Sequence, residues 1–239
     1  MTARVELEPC YLLHSKIYTD SKILASFLTL NHGVVQTVLR VTKKKKLSFP
    51  PLAFTPMIVS WLESPNLKTI TSYEQSHPCH ALVGREMYCA MYLNEILVRM
   101  LDEQYEADGV FQFYRHALVA LKNTASNLRQ QEAILRSFEL DLLRVLGFGI
   151  DFLSDVHGVP LRNDTQSLYQ FYADSGFLFC LSNADDISAR YDSFSGSDII
   201  AIGKREWTLT SLTASKKILR IALAPHLGGK PIRSRELFI

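Results

Sequence analysis

The chain has 239 residues, 47% of them hydrophobic and 21% charged, with a formal net charge of +2. That length allows one large or two small domains with a sizeable core, and the balance excludes a disordered chain. The charge is unevenly spread: residues 1–80 carry nine Lys/Arg against five Asp/Glu, residues 81–203 nine against seventeen, and residues 204–239 eight against two. Basic ends flanking an acidic middle point to two ends that face a common polyanion.

Residues 8–74 read as β structure. Five short runs, "CYLLHSKIY", "KILASFLTL", "GVVQTVLRV", "PMIVSWL" and "NLKTITSY", are rich in β-branched and aromatic residues and are separated by turn chemistry. In the third run Val35, Thr37, Leu39 and Val41 alternate with Gln36 and Arg40, which assigns opposite faces. Five strands in about 70 residues suit a small closed barrel. Pro50-Pro51 cannot continue a central strand, so "VTKKKKLSFPP" (residues 41–51) falls in the connection between strands three and four.

The period then changes to helical. Met87, Met91, Leu93, Ile96, Leu97, Met100 and Leu101 form one stripe, Phe111, Tyr114, Ala117, Leu118 and Leu121 a second, and Ile134, Leu135, Phe138, Leu142, Val145 and Leu146 a third. Gly147 reads as the left-handed residue that stops the third helix. Residues 148–205 are less periodic, with a candidate hairpin around Asp174-Ser175-Gly176. "TSLTASKKILRIALAPHLGG" reads as a last helix capped by Thr210 or Ser211. The expected class is α+β: a barrel domain over residues 1–80, then a mainly helical domain over 81–239 with an irregular insertion and a basic tail.

Catalytic signatures are missing from the sequence. There is no G-x-S-x-G, no H-E-x-x-H and no Walker loop, and Gly228-Gly229-Lys230 follows a helix, so it reads as a helix-ending turn. His77, Cys79 and His80 are close in sequence, but zinc wants a second ligand pair and none stands out. The acidic residues of the middle are spread as on solvated helix faces, with no pair marked as acid and base. Cys10, Cys79, Cys89 and Cys180 form no C-x-x-C pair and read as reduced intracellular thiols. "MTARVELEPC" lacks a secretion-signal pattern, and no run of about 18 apolar residues offers a membrane span. A cytoplasmic, non-enzymatic protein is expected.

The basic residues carry the functional reading. A run such as Lys43, Lys44, Lys45 and Lys46 is commonly a solvated loop. Its setting in a small barrel favours nucleic acid, because such barrels bind single strands with a basic groove and exposed aromatics. Lys16, Lys22, Arg40 and Lys68 lie in or beside the same barrel, with Tyr11, Tyr18, Phe49, Phe54 and Trp61 as its aromatics. Lys230, Arg233 and Arg235 follow in the tail, whose Ile232, Leu237 and Phe238 argue that it docks on the protein. The rival reading is an adaptor whose barrel binds a protein.

"YLLHSKIYTDSKIL", "LAFTP", "YLNEILVRML", "RSFELDLLRVLGFG" and "LGGKPIRSRELF", in register along the whole chain, resemble the bacterial RecO recombination-mediator family. That resemblance implies an N-terminal OB-fold, a helical C-terminal domain and no catalytic turnover. It implies binding of single- and double-stranded DNA, annealing of complementary strands, contact with the acidic tail of single-strand-binding protein (SSB), and loading of RecA together with RecR. A nucleoid-associated place in the cytoplasm goes with it. Some relatives carry a four-cysteine zinc module after the "LGFG" stop; here "IDFLSDVHG" has no cysteine, so no metal or cofactor is expected. The third-helix motif makes Arg136, with Leu135 and Leu140, the first candidate for the SSB tail, and Arg129 the second. Uniform lysine in the loop, rather than arginine, favours neutralising backbone over reading bases.

Overall fold

The computed structural model describes residues 3–40, 52–64, 67–75, 82–101, 109–180 and 193–238. It divides into two compact units, residues 1–126 with 232–239, and residues 127–231. The lysine run, Val41, Phe49 and the His77/Cys79/His80 group lie outside the described residues.

The first unit is built on β1 (Arg4–Thr19), β2 (Lys22–Thr29), β3 (Val34–Arg40), β4 (Met57–Leu62) and β5 (Lys68–Gln75). They close into a barrel of order β1-β2-β3-β5-β4, antiparallel except for β3 against β5, which is the arrangement of an OB-fold. Cys10, Leu12, Ala25, Phe27, Val35, Leu39, Met57, Val59 and Trp61 fill its interior. The alternation in β3 holds: Val35, Thr37 and Leu39 point in, whereas Gln36 and Val38 are half-buried and Arg40 is exposed.

β1 is buried on both faces over Cys10–Leu13, because α1 (Gly84–Met100) and α2 (Val110–Lys122) belong to the same unit and cover its outer side. Tyr11 meets the Phe111 and Tyr114 rings at 5.3 and 5.2 Å. Pairing with β2 slips between Leu12 and His14, leaving the Leu13 backbone out of the ladder. Asn94 of α1 repairs this. Its Nδ2 donates to the carbonyls of Leu12 and Leu13 at 3.3 and 2.9 Å, and its Oδ1 accepts the Tyr114 hydroxyl. A second slip, between Val5 and Glu8, coincides with Leu7 at φ 55, and the Leu7 N–H donates to Ser60 Oγ.

The tail closes this unit. A 3-10 helix, Arg233–Phe238, packs on α1. The Glu95 carboxylate accepts the backbone N–H of Arg233 (2.9 Å) and Ser234 (2.8 Å) and the Ser234 hydroxyl (2.7 Å), and also pairs with Arg99. Burial alone would raise the Glu95 pKa. The donors of Ser234 and Arg233 and the Arg99 charge outweigh it and hold the carboxyl below its usual range. Stabilisation of this kind is present above the unfolded pKa and is lost as pH falls through the folded one. Glu95→Gln is therefore expected to lower stability by about 2 kcal/mol at pH 7, and the gap between wild type and variant in pH-dependent melting should close in acid, below about pH 4. A gap that widens in acid contradicts the latch.

The second unit holds α3 (Leu128–Val145), a three-stranded antiparallel sheet of order β7-β6-β8 from β6 (Leu168–Tyr172), β7 (Gly176–Phe179) and β8 (Ser193–Ser195), then α4 (Gly196–Gly203) and α5 (Leu209–Leu223). Gly147 has φ 84 just past α3, and β6 and β7 form the hairpin whose turn leads into Gly176. Two details differ from the sequence reading. The last helix is capped by Thr208, not Thr210 or Ser211; Ser211 is the reciprocal partner in a capping box. α4 was not expected, because eight residues are too few to display a helical period. Its signal was the cap, where Ser195 Oγ accepts the Asp198 N–H and donates to the Asp198 carboxylate. Gly196 has no room for a side chain, since a Cβ there would lie 1.9 Å from the Arg162 carbonyl.

Candidate nucleic-acid interface

The outer face of the barrel is divided along its strands. At one end Tyr11, Leu28 and Val34 are cross-strand neighbours and are buried, Tyr11 beneath the α2 aromatics. Towards the other end Lys16 pairs with Leu24, Leu24 with Val38, and Lys22 with Arg40. Lys16, Lys22 and Arg40 are exposed, and among the described residues none is ion-paired. Two like charges directly opposite on neighbouring strands cost stability unless an anion lies between them. Lys22 and Arg40 form such a like-charged cross-strand pair, and Arg40 is the last described residue before the lysine run.

Lys68 differs. It pairs with Thr37 in register and approaches the Glu63 carboxylate at 3.9 Å, and Glu63 also accepts the Trp61 indole N–H. Its charge is partly answered within the barrel. The aromatics also separate. Tyr11 and Trp61 are core, Phe54 is half-buried with φ 63, and Tyr18 stands 64% exposed next to the β1–β2 turn.

A cleft of about 830 Å³ opens beside β1, lined by Leu12 to Ser15, Phe54, α1 residues including Met91 and Val98, and tail residues including Arg233. Arg233 and His14 share this cleft, and Lys16 follows two residues on from His14. Arg235 is committed elsewhere: its guanidinium lies over the Tyr92 ring and donates to the Tyr92 hydroxyl at 3.3 Å. Lys230 is exposed and belongs to the second unit. The sequence reading overlooked Arg115, exposed on α2. Burial raises the Tyr11 pKa, and the nearby Arg115 charge opposes that rise. Its signal was a cation on the polar side of the second helical stripe.

In the second unit Arg136 is buried and paired with the fully buried Glu139 at 2.8 Å; Leu135 is buried and Leu140 half-buried. Arg129 is exposed and donates to the Trp207 carbonyl, with Leu128 and Leu209 exposed at the starts of α3 and α5. Among the described residues no group of three or more His, Cys, Asp or Glu is placed to hold a metal ion, and no helix is long and apolar enough to cross a membrane.

The family model "Recombination protein O C terminal" matches residues 83–236. Over essentially its whole length the chain is 32% identical to "DNA repair protein RecO" of Aliivibrio fischeri strain MJ11 (98% of this chain, 95% of the relative). The corresponding proteins of Coxiella burnetii strain RSA 331 and Vibrio vulnificus strain CMCP6 are 33% identical (99% of each chain) and 34% identical (100% and 95%). The chain belongs to the RecO family.

Proposed function

We propose that this protein is a non-catalytic mediator of DNA repair and recombination. It binds single- and double-stranded DNA and anneals complementary strands. With RecR it helps to load RecA onto SSB-coated DNA in the nucleoid-associated cytoplasm. The observation that carries this reading is the exposed Lys16, Lys22 and Arg40, without an ion-pair partner among the described residues, on one face of an OB barrel in a chain whose relatives are DNA repair proteins. Lys43 to Lys46, which follow Arg40 closely in the sequence, and Lys68, Lys230, Arg233 and Arg235 complete the proposed set of DNA-binding cations. Point charges on a strand surface neutralise phosphates without reading sequence, which suits a protein that accepts any strand. In the second unit the SSB tail is assigned to Arg136 with Leu135 and Leu140, and to Arg129 with its exposed apolar neighbours. Arg129 is the more accessible cation for an acidic peptide.

Fluorescence anisotropy of a labelled single strand across a salt series tests the reading. Each phosphate contact contributes a log–log slope of about −0.7. Replacing Lys43, Lys44, Lys45 and Lys46 by alanine should weaken binding and flatten the slope. A slope unchanged in that variant removes the loop from the interface. Salt-independent or absent binding by the wild type favours the protein adaptor instead.

A further inference from the structure

The second unit segregates its charge. Residues 127–206 carry seven Lys/Arg against twelve Asp/Glu, whereas residues 207–231 carry four Lys/Arg and no acid. Three of the four are on α5. That helix buries Leu212, Ser215, Ile218, Leu219, Ala222 and Leu223 and turns Thr213, Lys216, Lys217 and Arg220 to solvent. Lys216 and Arg220 stand one turn apart, about 6 Å along the axis, with Lys217 beside them. A groove of about 370 Å³ runs along the first half of the same helix, lined by the hydroxyl residues Ser193, Ser195, Thr210 and Thr213, by Lys217, and by the apolar Phe194, Leu209 and Ala214. Among its described lining residues the acid is Asp198, which accepts the Ser195 hydroxyl. Exposed cations beside a groove of mixed hydroxyl and apolar lining match the phosphates and sugars of a nucleic-acid strand.

We infer that this face of α5 binds a second nucleic-acid strand, separate from the strand held by the barrel. The inference rests on the DNA-binding reading above and adds to it a division of labour: each compact unit carries its own strand-binding surface, so two strands are held at once for pairing. A bilayer is the other extended polyanion, and the helix fits it poorly. The apolar stripe of α5 is spent inside the unit, and its exposed side offers no continuous apolar face for insertion.

The test uses the full chain and a single strand of about ten nucleotides, short enough to occupy one site. Calorimetric titration of the wild type should show two bound strands per chain. The variant Lys216→Ala/Lys217→Ala/Arg220→Ala should keep the first with affinity within about twofold and weaken the second about 100-fold at 0.1 M salt, the value for three lost phosphate contacts. Its annealing of complementary strands should slow at least tenfold. Should the triple variant fold poorly, Lys216→Gln/Arg220→Gln spares Lys217 and should weaken the second strand about 25-fold. Unchanged stoichiometry and annealing in a folded variant overturn the inference. So does a single bound strand abolished by Lys22→Ala/Arg40→Ala alone, which leaves the barrel reading intact. Loss of binding to phosphatidylglycerol vesicles, with both strands still bound, reassigns the face to a membrane. A wild type that binds no strand overturns the DNA reading itself.

Discussion

Replacing Asn94 with leucine is expected to lower the melting temperature by about 10 °C. One side chain satisfies three polar groups from two other elements: the Leu12 and Leu13 carbonyls of β1 and the Tyr114 hydroxyl of α2. All sit in a buried region, where a polar group left without a partner costs about 1–3 kcal/mol. Leucine fills a similar volume and supplies none of the three bonds. The loss sums to about 3–5 kcal/mol, and 1 kcal/mol moves the midpoint of a domain this size by about 2–4 °C. Tyr114→Phe removes the bond to Asn94 while leaving both carbonyls bonded, and should cost about 1 kcal/mol. In a double-mutant cycle the two changes should be strongly non-additive, because they share a partner. Thermal unfolding followed by circular dichroism reads both. An Asn94→Leu protein as stable as wild type would show that the β1 slip needs no repair.

The second large effect is on binding. Lys22→Ala with Arg40→Ala should weaken single-strand affinity about 25-fold at 0.1 M salt and make the log–log salt slope less negative by about 1.4, the signature of two phosphate contacts. The barrel should tolerate the change, because removing like charges placed opposite each other relieves repulsion rather than breaking a bond. The melting temperature should therefore stay level or rise. This pairing of weaker binding with undiminished stability separates an interface from a structural role. A parallel drop in both would mean that the pair supports the fold. Lys68→Ala is the internal comparison: with its charge shared by Glu63, it should change the slope less than either neighbour.

Much of the architecture is written in short-range pattern. The five strands, their order of appearance and the inward face of β3 follow from alternation, since side chains two apart on a strand share a side whatever they meet there. The stripes of α2 and α3 follow likewise from the helical period, and Gly147 stops α3 because a left-handed residue is cheap only for glycine. The docked tail was legible too: Ile232, flanked by cations, is buried. The candidate interface was legible as a set of residue types, since cations in a small barrel are visible in any reading of the chain.

What the sequence could not apportion is which of those cations remain available, and which aromatics. Tyr11 and Tyr18 lie seven residues apart in one strand, yet one is sealed under α2 and the other stands in solvent. Lys68 and Arg40 look alike in the chain, but Glu63 answers only Lys68. Asn94 reads as an ordinary polar residue on a helix until a β-slip eighty residues earlier frees the carbonyls it meets. The sequence by itself determined the five barrel strands, the longer helices, the barrel class and the abundance of positive charge at both ends. Those depend on local periodicity and backbone preference, which each segment carries within itself. Only the tertiary structure decided which charges find a partner among the described residues, which barrel residues are exposed, and that α5 turns its cations to solvent. Those depend on contacts between residues far apart in the chain, where a partner's position, and not its identity, sets whether a charge is answered or left for a ligand.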